Sequence, residues 1–356
     1  MRRWMNRLAP LCLLAFSTVA MAGAGTPADA GIDGLMQRYD GRFPGAAVLV
    51  LKDGHPVFRR GYGLAVVEDG TPVSPQSNFR LASVSKQFTA AAILLLAENG
   101  KLSIDDPVKQ WLPSLPAVAD TVTLRQLLSH TSGLLDYEDL MDPADTRQVH
   151  DSDVLQLLEK ENRSYFAPGS DYRYSNSGYA LLALVVGKAS GSDFASFLRQ
   201  RIFLPLGMNS TFAHQDGVDD VPHRAYGYSW IDGHWQRTDQ STTSAVLGDG
   251  GIYSSIDDLA KWDAALYDQR LLRRESLQLA FSPATKTDEP DVPHYGFGWR
   301  INGDALWHSG ESIGFRNVIV RYPKQKLTVI VLSNRNDPEP YTLALAIARR
   351  WLDTAR

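Results

Sequence analysis

Ser83 and Lys86 stand three residues apart, between a strand-like Phe79-Arg80-Leu81-Ala82 and the strongly apolar stretch Phe88 to Glu98, which reads as a helix opened by Ser83. A serine at a helix start keeps its backbone N–H among the unpaired donors, near the positive end of the macrodipole, where it can stabilise charge on an attacked carbonyl oxygen. Lys86 lies one turn further on the same face and can reach the serine oxygen. Burial and the helix end both disfavour an ammonium, so a basic amine is expected there. As a bare pattern Ser-x-x-Lys arises about once by chance in a chain this long. The bland alternative is a capping serine beside a solvated lysine; the strand before and the apolar helix after favour chemistry.

Tyr174-Ser175-Asn176 follows the turn Ala167-Pro168-Gly169 and precedes a helical stretch, so it is expected on an exposed loop edge. A phenol beside a lysine can take or relay a proton, and an amide can hold a substrate carbonyl with its N–H₂ and the lysine with its oxygen. His308-Ser309-Gly310 is expected to end a strand, with the glycine leaving room for a substrate backbone along the edge. The following N–H, that of Glu311, would pair with the Ser83 N–H as an oxyanion site.

Gly310-Glu311-Ser312-Ile313-Gly314 matches the nucleophile-elbow pattern. That motif needs a strand–turn–helix setting and a later histidine; the chain continues as strand and carries no histidine after His308, so Ser312 is rejected as nucleophile. His130 reads as a residue fixing a buried loop, and Asp249 as a turn residue. His214, His223 and His234 lack close ligand spacing, so neither a metal nor another cofactor is expected. Tyr226 to Trp235 is rich in aromatics that suit either the cleft or ordinary packing.

In this order, Ser83-x-x-Lys86, Tyr174-Ser175-Asn176 and His308-Ser309-Gly310 resemble the three signature boxes of the class C β-lactamase and D-alanyl-D-alanine carboxypeptidase family of serine hydrolases. Leu127 to Leu134 (LLSHTSGL), Pro205-Leu206-Gly207-Met208 and Gly250 to Ser255 (GGIYSS) are similar to the family too. The resemblance covers roughly residues 31–350. It implies Ser83 as the acylated nucleophile, Lys86 and Tyr174 as the proton-transfer pair with the base left open, Asn176 as holder of a substrate amide, and His308 on the strand flanking the cleft. The third box departs from the Lys-Thr-Gly of dedicated class C β-lactamases. His308 is mostly neutral at pH 7 and Glu311 is negative, so an anionic β-lactam should be recognised poorly unless Arg316 or Arg335 supplies a cation. The expected substrate is a small molecule or peptide: a D-alanyl peptide, a D-amino-acid amide or a small ester. The alternative is a non-catalytic penicillin-binding, sensor or structural relative of the same fold.

These boxes need a scaffold. Strand-like stretches lie near both ends (Ala46–Lys52, Val57–Gly63, Gly296–Asn302, Ala305–His308, Arg316–Tyr322, Leu327–Ser333) and helical spacing fills the middle, including Leu124–Leu128, Val154–Leu158 and Tyr179–Lys188. Helices are also expected over Gly31–Tyr39, Ile256–Tyr267 and Pro338–Leu352, and Ser192 as a cap. The fold class is therefore α+β: one antiparallel sheet built from both termini with flanking helices, plus an inserted mostly helical lobe, β-lactamase/transpeptidase-like by the resemblance. Residues 31–100 and 255–356 would form the sheet part and 101–254 the inserted lobe. Pocket shape would come from the loops Leu135–His150 and Tyr226–Gly248.

Arg2, Arg3 and Arg7, the apolar run Leu8–Ala20 and Ala20-Met21-Ala22 read as an export signal cleaved after Ala22, giving a periplasmic or secreted protein. Cleavage leaves 33 basic against 40 acidic side chains, about −7 net. It also removes Cys12, the chain's one cysteine, and with it any disulfide or thiol chemistry. With Lys plus Arg at 36 against 40 acids there is no basic surplus for a nucleic-acid partner, and no stable membrane insertion is expected once the signal is gone. Oligomeric state is not readable from the chain.

Overall fold

A computed structural model describes residues 27–352 apart from 216, 218 and 219; the expected signal segment and its cleavage point lie outside the described residues. The architecture is α+β, built on an eight-stranded antiparallel sheet. In chain order its strands are β1 (Ala46–Lys52), β2 (His55–Tyr62), β3 (Thr285–Glu289), β4 (Val292–Tyr295), β5 (Arg300–Asn302), β6 (Ala305–Ser312), β7 (Phe315–Tyr322) and β8 (Leu327–Ser333). They lie side by side as β3-β4-β5-β6-β7-β8-β1-β2, so the two ends of the chain meet at β8 and β1.

The central strands are almost continuously apolar because both sheet faces are covered. In β1, Ala47, Leu49 and Leu51 enter one core while Ala46, Val48 and Val50 enter the other, the two-residue period of a strand. Helices α1 (Pro27–Met36) and α7 (Tyr341–Leu352) cover the second core through Ile32, Met36, Ala344 and Ile347. The first core is the larger. It holds α2 (Lys86–Glu98), α3 (Leu124–Leu128), α4 (Asp151–Leu158), α5 (Asn176–Ser190) and α6 (Ile256–Ala265). Inside it, the Arg321 Nε on β7 donates to Asp263 Oδ1 of α6 at 2.5 Å with both residues buried, pinning helix to sheet.

Several boundaries differ from expectation for identifiable reasons. Only Arg300–Asn302 of the expected 296–302 strand is extended, because Gly298 turns at φ +76° to bring the chain against Lys86. A Cβ at Gly298 would lie 2.9 Å from the Lys86 carbonyl. The β3–β4 pair, polar and interrupted by Pro293, carries no alternating apolar signal and was not anticipated. His308-Ser309-Gly310 lies inside β6, which runs on to Ser312, and the last helix starts at Tyr341 rather than Pro338. The helix after Gly191 is capped by Asp193, whose carboxylate accepts the Ser196 N–H at 2.8 Å, in place of Ser192.

Candidate active site

Ser83 sits in a 3₁₀ turn, Ala82–Ser85, that leads directly into α2. Ala82 before it has φ +50°, an unfavourable backbone conformation for a non-glycine residue, of the kind that surrounding structure must hold in place. Gly310 on β6 does part of that holding. A Cβ there would come 2.0 Å from the Leu81 carbonyl, so the glycine admits the turn carrying Ser83 rather than leaving room for substrate. Ser83 opens on a narrow cleft whose lining includes Asn176, Glu138, Asp249, Gly250 and Glu311.

Lys86 is fully buried beneath Ser83. Its Nζ lies 3.0 Å from Ser83 Oγ, 2.7 Å from Asn176 Oδ1 and 3.0 Å from the Asp249 carbonyl oxygen. Asn176 Oδ1 and the Asp249 carbonyl can only accept, so they take two N–H groups whatever charge Lys86 carries. The third valence of the nitrogen, a lone pair in the amine or an N–H in the ammonium, faces Ser83 Oγ.

Asn176 starts α5 and is held on every side. Its backbone N–H donates to Asp136 Oδ2 at 2.6 Å and its Nδ2 to Glu138 Oε1 at 2.9 Å. The expected lysine contact is therefore present, while the N–H₂ group meets Glu138. Tyr174 sets its ring 4.9 Å from Lys86 Nζ, with the ammonium position over the ring face. Its hydroxyl is buried and has no hydrogen-bond partner among the described residues.

His130 frames this tyrosine. Its carbonyl accepts the Arg173 N–H at 3.0 Å and its Nδ1 accepts the Ser175 N–H at 3.1 Å, while the imidazole lies 4.3 Å from the Tyr174 ring. Burial, reinforced by the positive charges of Lys86 and Arg300, drives the His130 pKa well below its ordinary value.

His308 departs from its expected substrate-facing role. It is fully buried, with Nδ1 2.6 Å from the Ser309 carbonyl and Nε2 3.0 Å from the Tyr295 hydroxyl, so neither ring nitrogen is left for substrate. Nδ1 must carry the proton to face a carbonyl, and Nε2 accepts from the phenol. Burial first, then Arg300 and Lys86, hold His308 well below its usual pKa. Ser309 Oγ accepts from Arg300 at 2.9 Å. Glu311 reaches the cleft, but its carboxylate accepts from Arg316 at 2.6 Å, and Arg316 also donates to the Ser312 and Phe315 carbonyls. Arg316 is thus paired. Arg335 packs on Tyr39, Phe43 and Trp235 and donates to the Arg38 and Asp337 carbonyls, engaged outside the cleft lining.

The β-lactamase family model matches residues 28–351, nearly the whole described chain. The chain belongs to the β-lactamase family. It is similar to penicillin-binding protein 4* of Bacillus subtilis, 36% identical over 317 residues that make up 84% of this chain and 70% of that protein. To protein flp of Staphylococcus aureus it is 28% identical over 309 residues, and it spans 60% of that protein's length. Among solved structures, the octameric penicillin-binding protein homologue from Pyrococcus abyssi has a TM-score of 0.80 at 26% identity, covering 92% of this chain and 77% of that one. D-amino acid amidase from Ochrobactrum anthropi SV3, complexed with L-phenylalanine amide, also gives 0.80, at 23% identity, over 93% and 100% of the two chains; that likeness shows the fold. The family is one of serine hydrolases and acyltransferases.

Within this β-lactamase-family cleft, the sequence reading missed Asp136, Tyr137, Glu138 and the true placement of Asp249. Tyr137 donates to Asp249 Oδ2 at 3.0 Å, and burial raises the Asp249 carboxyl well above its ordinary value, against the pull of Lys86. The one available signal was the placement of Asp136-Tyr137-Glu138 one residue beyond the LLSHTSGL stretch, which the polar character of ordinary loops masks.

Proposed function

We propose that the chain is an exported hydrolase that cleaves an amide or ester through an acyl-enzyme on Ser83, its substrate a D-alanyl peptide, a D-amino-acid amide or a small ester. The observation that carries this reading is the Lys86 nitrogen, fixed by two obligate acceptors and 3.0 Å from Ser83 Oγ. As Ser83 Oγ attacks the carbonyl carbon, its proton passes to the Lys86 lone pair. The face of the Tyr174 ring stabilises the ammonium that forms. The backbone N–H groups of Ser83 and Glu311 receive the oxyanion. The C–N or C–O bond then breaks as the Lys86 ammonium gives its proton to the leaving group; water, deprotonated by Lys86, attacks the acyl carbon, and the proton returns to Ser83 Oγ as the acid leaves.

The reading is tested by treating the purified protein with a fluorescent fluorophosphonate and mapping the adduct. A covalent mass increase on the peptide carrying Ser83, abolished by Ser83→Ala, is expected. An unmodified Ser83 under both fluorophosphonate and fluorescent penicillin would overturn it, and labelling without turnover of any ester or amide would make the chain a non-catalytic acceptor.

A further inference from the structure

We infer that Asp151, at the start of α4, is a positioning residue for the reaction: with Thr89 of α2 it fixes the Leu247-Gly248-Asp249 backbone, whose last carbonyl holds the Lys86 nitrogen towards Ser83. The inference rests on the acyl-enzyme reading above and extends its machinery to a helix outside the cleft lining.

The stretch from Ser244 to Gly250 is a partition. Asp249 and Gly250 line the narrow cleft at Ser83, whereas Leu247 and Asp151 line a separate pocket of about 850 Å³, and Ser244 borders both. This backbone belongs to no helix or strand, so no ladder of hydrogen bonds holds it. Among the described residues the N–H groups of Leu247 and Gly248 have no backbone acceptor.

Asp151 supplies what is missing. Its Oδ2 accepts the Leu247 N–H and its Oδ1 the Gly248 N–H, each at 3.0 Å, so one carboxylate takes two consecutive N–H groups. The Gly248 carbonyl in turn accepts from Thr89 Oγ1 at 2.7 Å. Gly248 also rests directly on α5, where a Cβ would come 2.2 Å from the Tyr179 carbonyl. One residue further on, the Asp249 carbonyl accepts from Lys86 at 3.0 Å, and Lys86 Nζ is 3.0 Å from Ser83 Oγ.

The bonds to Asp151 are strong ones. Burial pushes its carboxyl up to about 6, against the pull of the Gly248 and Leu247 N–H groups, so it is ionised at neutral pH and both bonds are charge-assisted. Without the carboxylate, two backbone donors stand unpaired in a wall bordered by open space. The Asp249 carbonyl then loses its fixed aim. Lys86 keeps only Asn176 as a firmly placed acceptor, and its nitrogen is free to turn from Ser83 Oγ.

The test compares fluorophosphonate labelling of Ser83 and p-nitrophenyl acetate kinetics in the intact protein, Asp151→Asn, Thr89→Val and Val154→Ala. Asp151→Asn keeps the shape and one acceptor, and Thr89→Val removes the hydroxyl that holds the Gly248 carbonyl. Val154, fully buried on α4, is the control for a loss of stability alone. Asp151→Asn and Thr89→Val should each slow labelling, and lower kcat and kcat/KM together, by about 10-fold with KM unchanged. Val154→Ala should lower the urea midpoint yet label within about twofold of the parent rate. Labelling at the parent rate in Asp151→Asn, a change confined to KM, or equal slowing in Val154→Ala overturns the assignment. Should Asp151→Asn fail to fold, Thr89→Val decides: slowing supports the clamp and the parent rate overturns it. Absence of labelling in the intact protein overturns the acyl-enzyme reading and this one with it, whereas parent-rate labelling in both clamp variants overturns this inference alone.

Discussion

His130 grips Tyr174 from three directions: its carbonyl holds the residue before, its Nδ1 the residue after, and its ring packs 4.3 Å from the phenol. The φ of +60° at His130 is the conformation in which carbonyl and imidazole both serve that one segment. His130 is therefore a positioning residue for the tyrosine set over Lys86. His130→Phe keeps an aromatic contact and loses the Ser175 acceptor; it should lower kcat about 10²-fold with a smaller change in KM, as a displacement on the order of 1 Å does. Steady-state kinetics, with a urea melt to confirm folding, checks this, and unchanged kcat would refute it.

The same two buried histidines set a stability limit on the acid side. In the unfolded chain a histidine takes up its proton below about pH 6.5, whereas His130 and His308, held well below that, stay neutral when folded. The unfolded state binds more protons in that window, so stability falls as pH drops below about 6.5, by about 1.4 kcal/mol per pH unit for each histidine. Above it they contribute no slope. Urea unfolding at pH 6.5 and 5.5 should show a smaller loss for His308→Gln than for the parent. Equal losses would contradict the assignment of a neutral, buried His308.

Gly310 tests the support of the nucleophile. Gly310→Ala places a methyl 2.0 Å from the Leu81 carbonyl and must shift the turn that carries Ser83. Fluorophosphonate labelling of Ser83 should slow by about 10²-fold, as misplacement of reacting groups does. A labelling rate equal to that of the parent would show that the contact does not hold the turn.

Away from the site, Arg321→Ala strands Asp263 in the core beside Thr328, which also donates to it at 2.8 Å. A loss of about 3–5 kcal/mol in urea unfolding is expected. The double variant Arg321→Met with Asp263→Leu should recover most of it. A small loss in the single variant would mean the pair is not buried as described.

The parts of the site legible in the chain were those encoded by side-chain type at short spacing. Ser83 and Lys86 share one turn, and Tyr174 and Asn176 lie two residues apart where a loop enters α5, so their chemistry and proximity could be read together. The sheet was legible for a similar reason, since β1 and β8 are apolar runs bounded by turn residues. The third ligand of Lys86 was not, because it is a backbone carbonyl and any residue at 249 would supply one. Gly310 was misread because the neighbour that needs its space, Leu81, is more than two hundred residues away in sequence. His308 looked like a substrate contact because nothing local reveals that Tyr295, on a polar strand with no alternation, closes over it.

The most direct measurement of the central claim is an acid quench of the enzyme during turnover of p-nitrophenyl acetate, followed by peptide mass analysis. An acetyl group on Ser83 in the parent, with its formation slowed at least about 10²-fold in Lys86→Met, is the predicted result. Turnover at the parent rate in Ser83→Ala, or an acetyl group on Ser312 in place of Ser83, would contradict it.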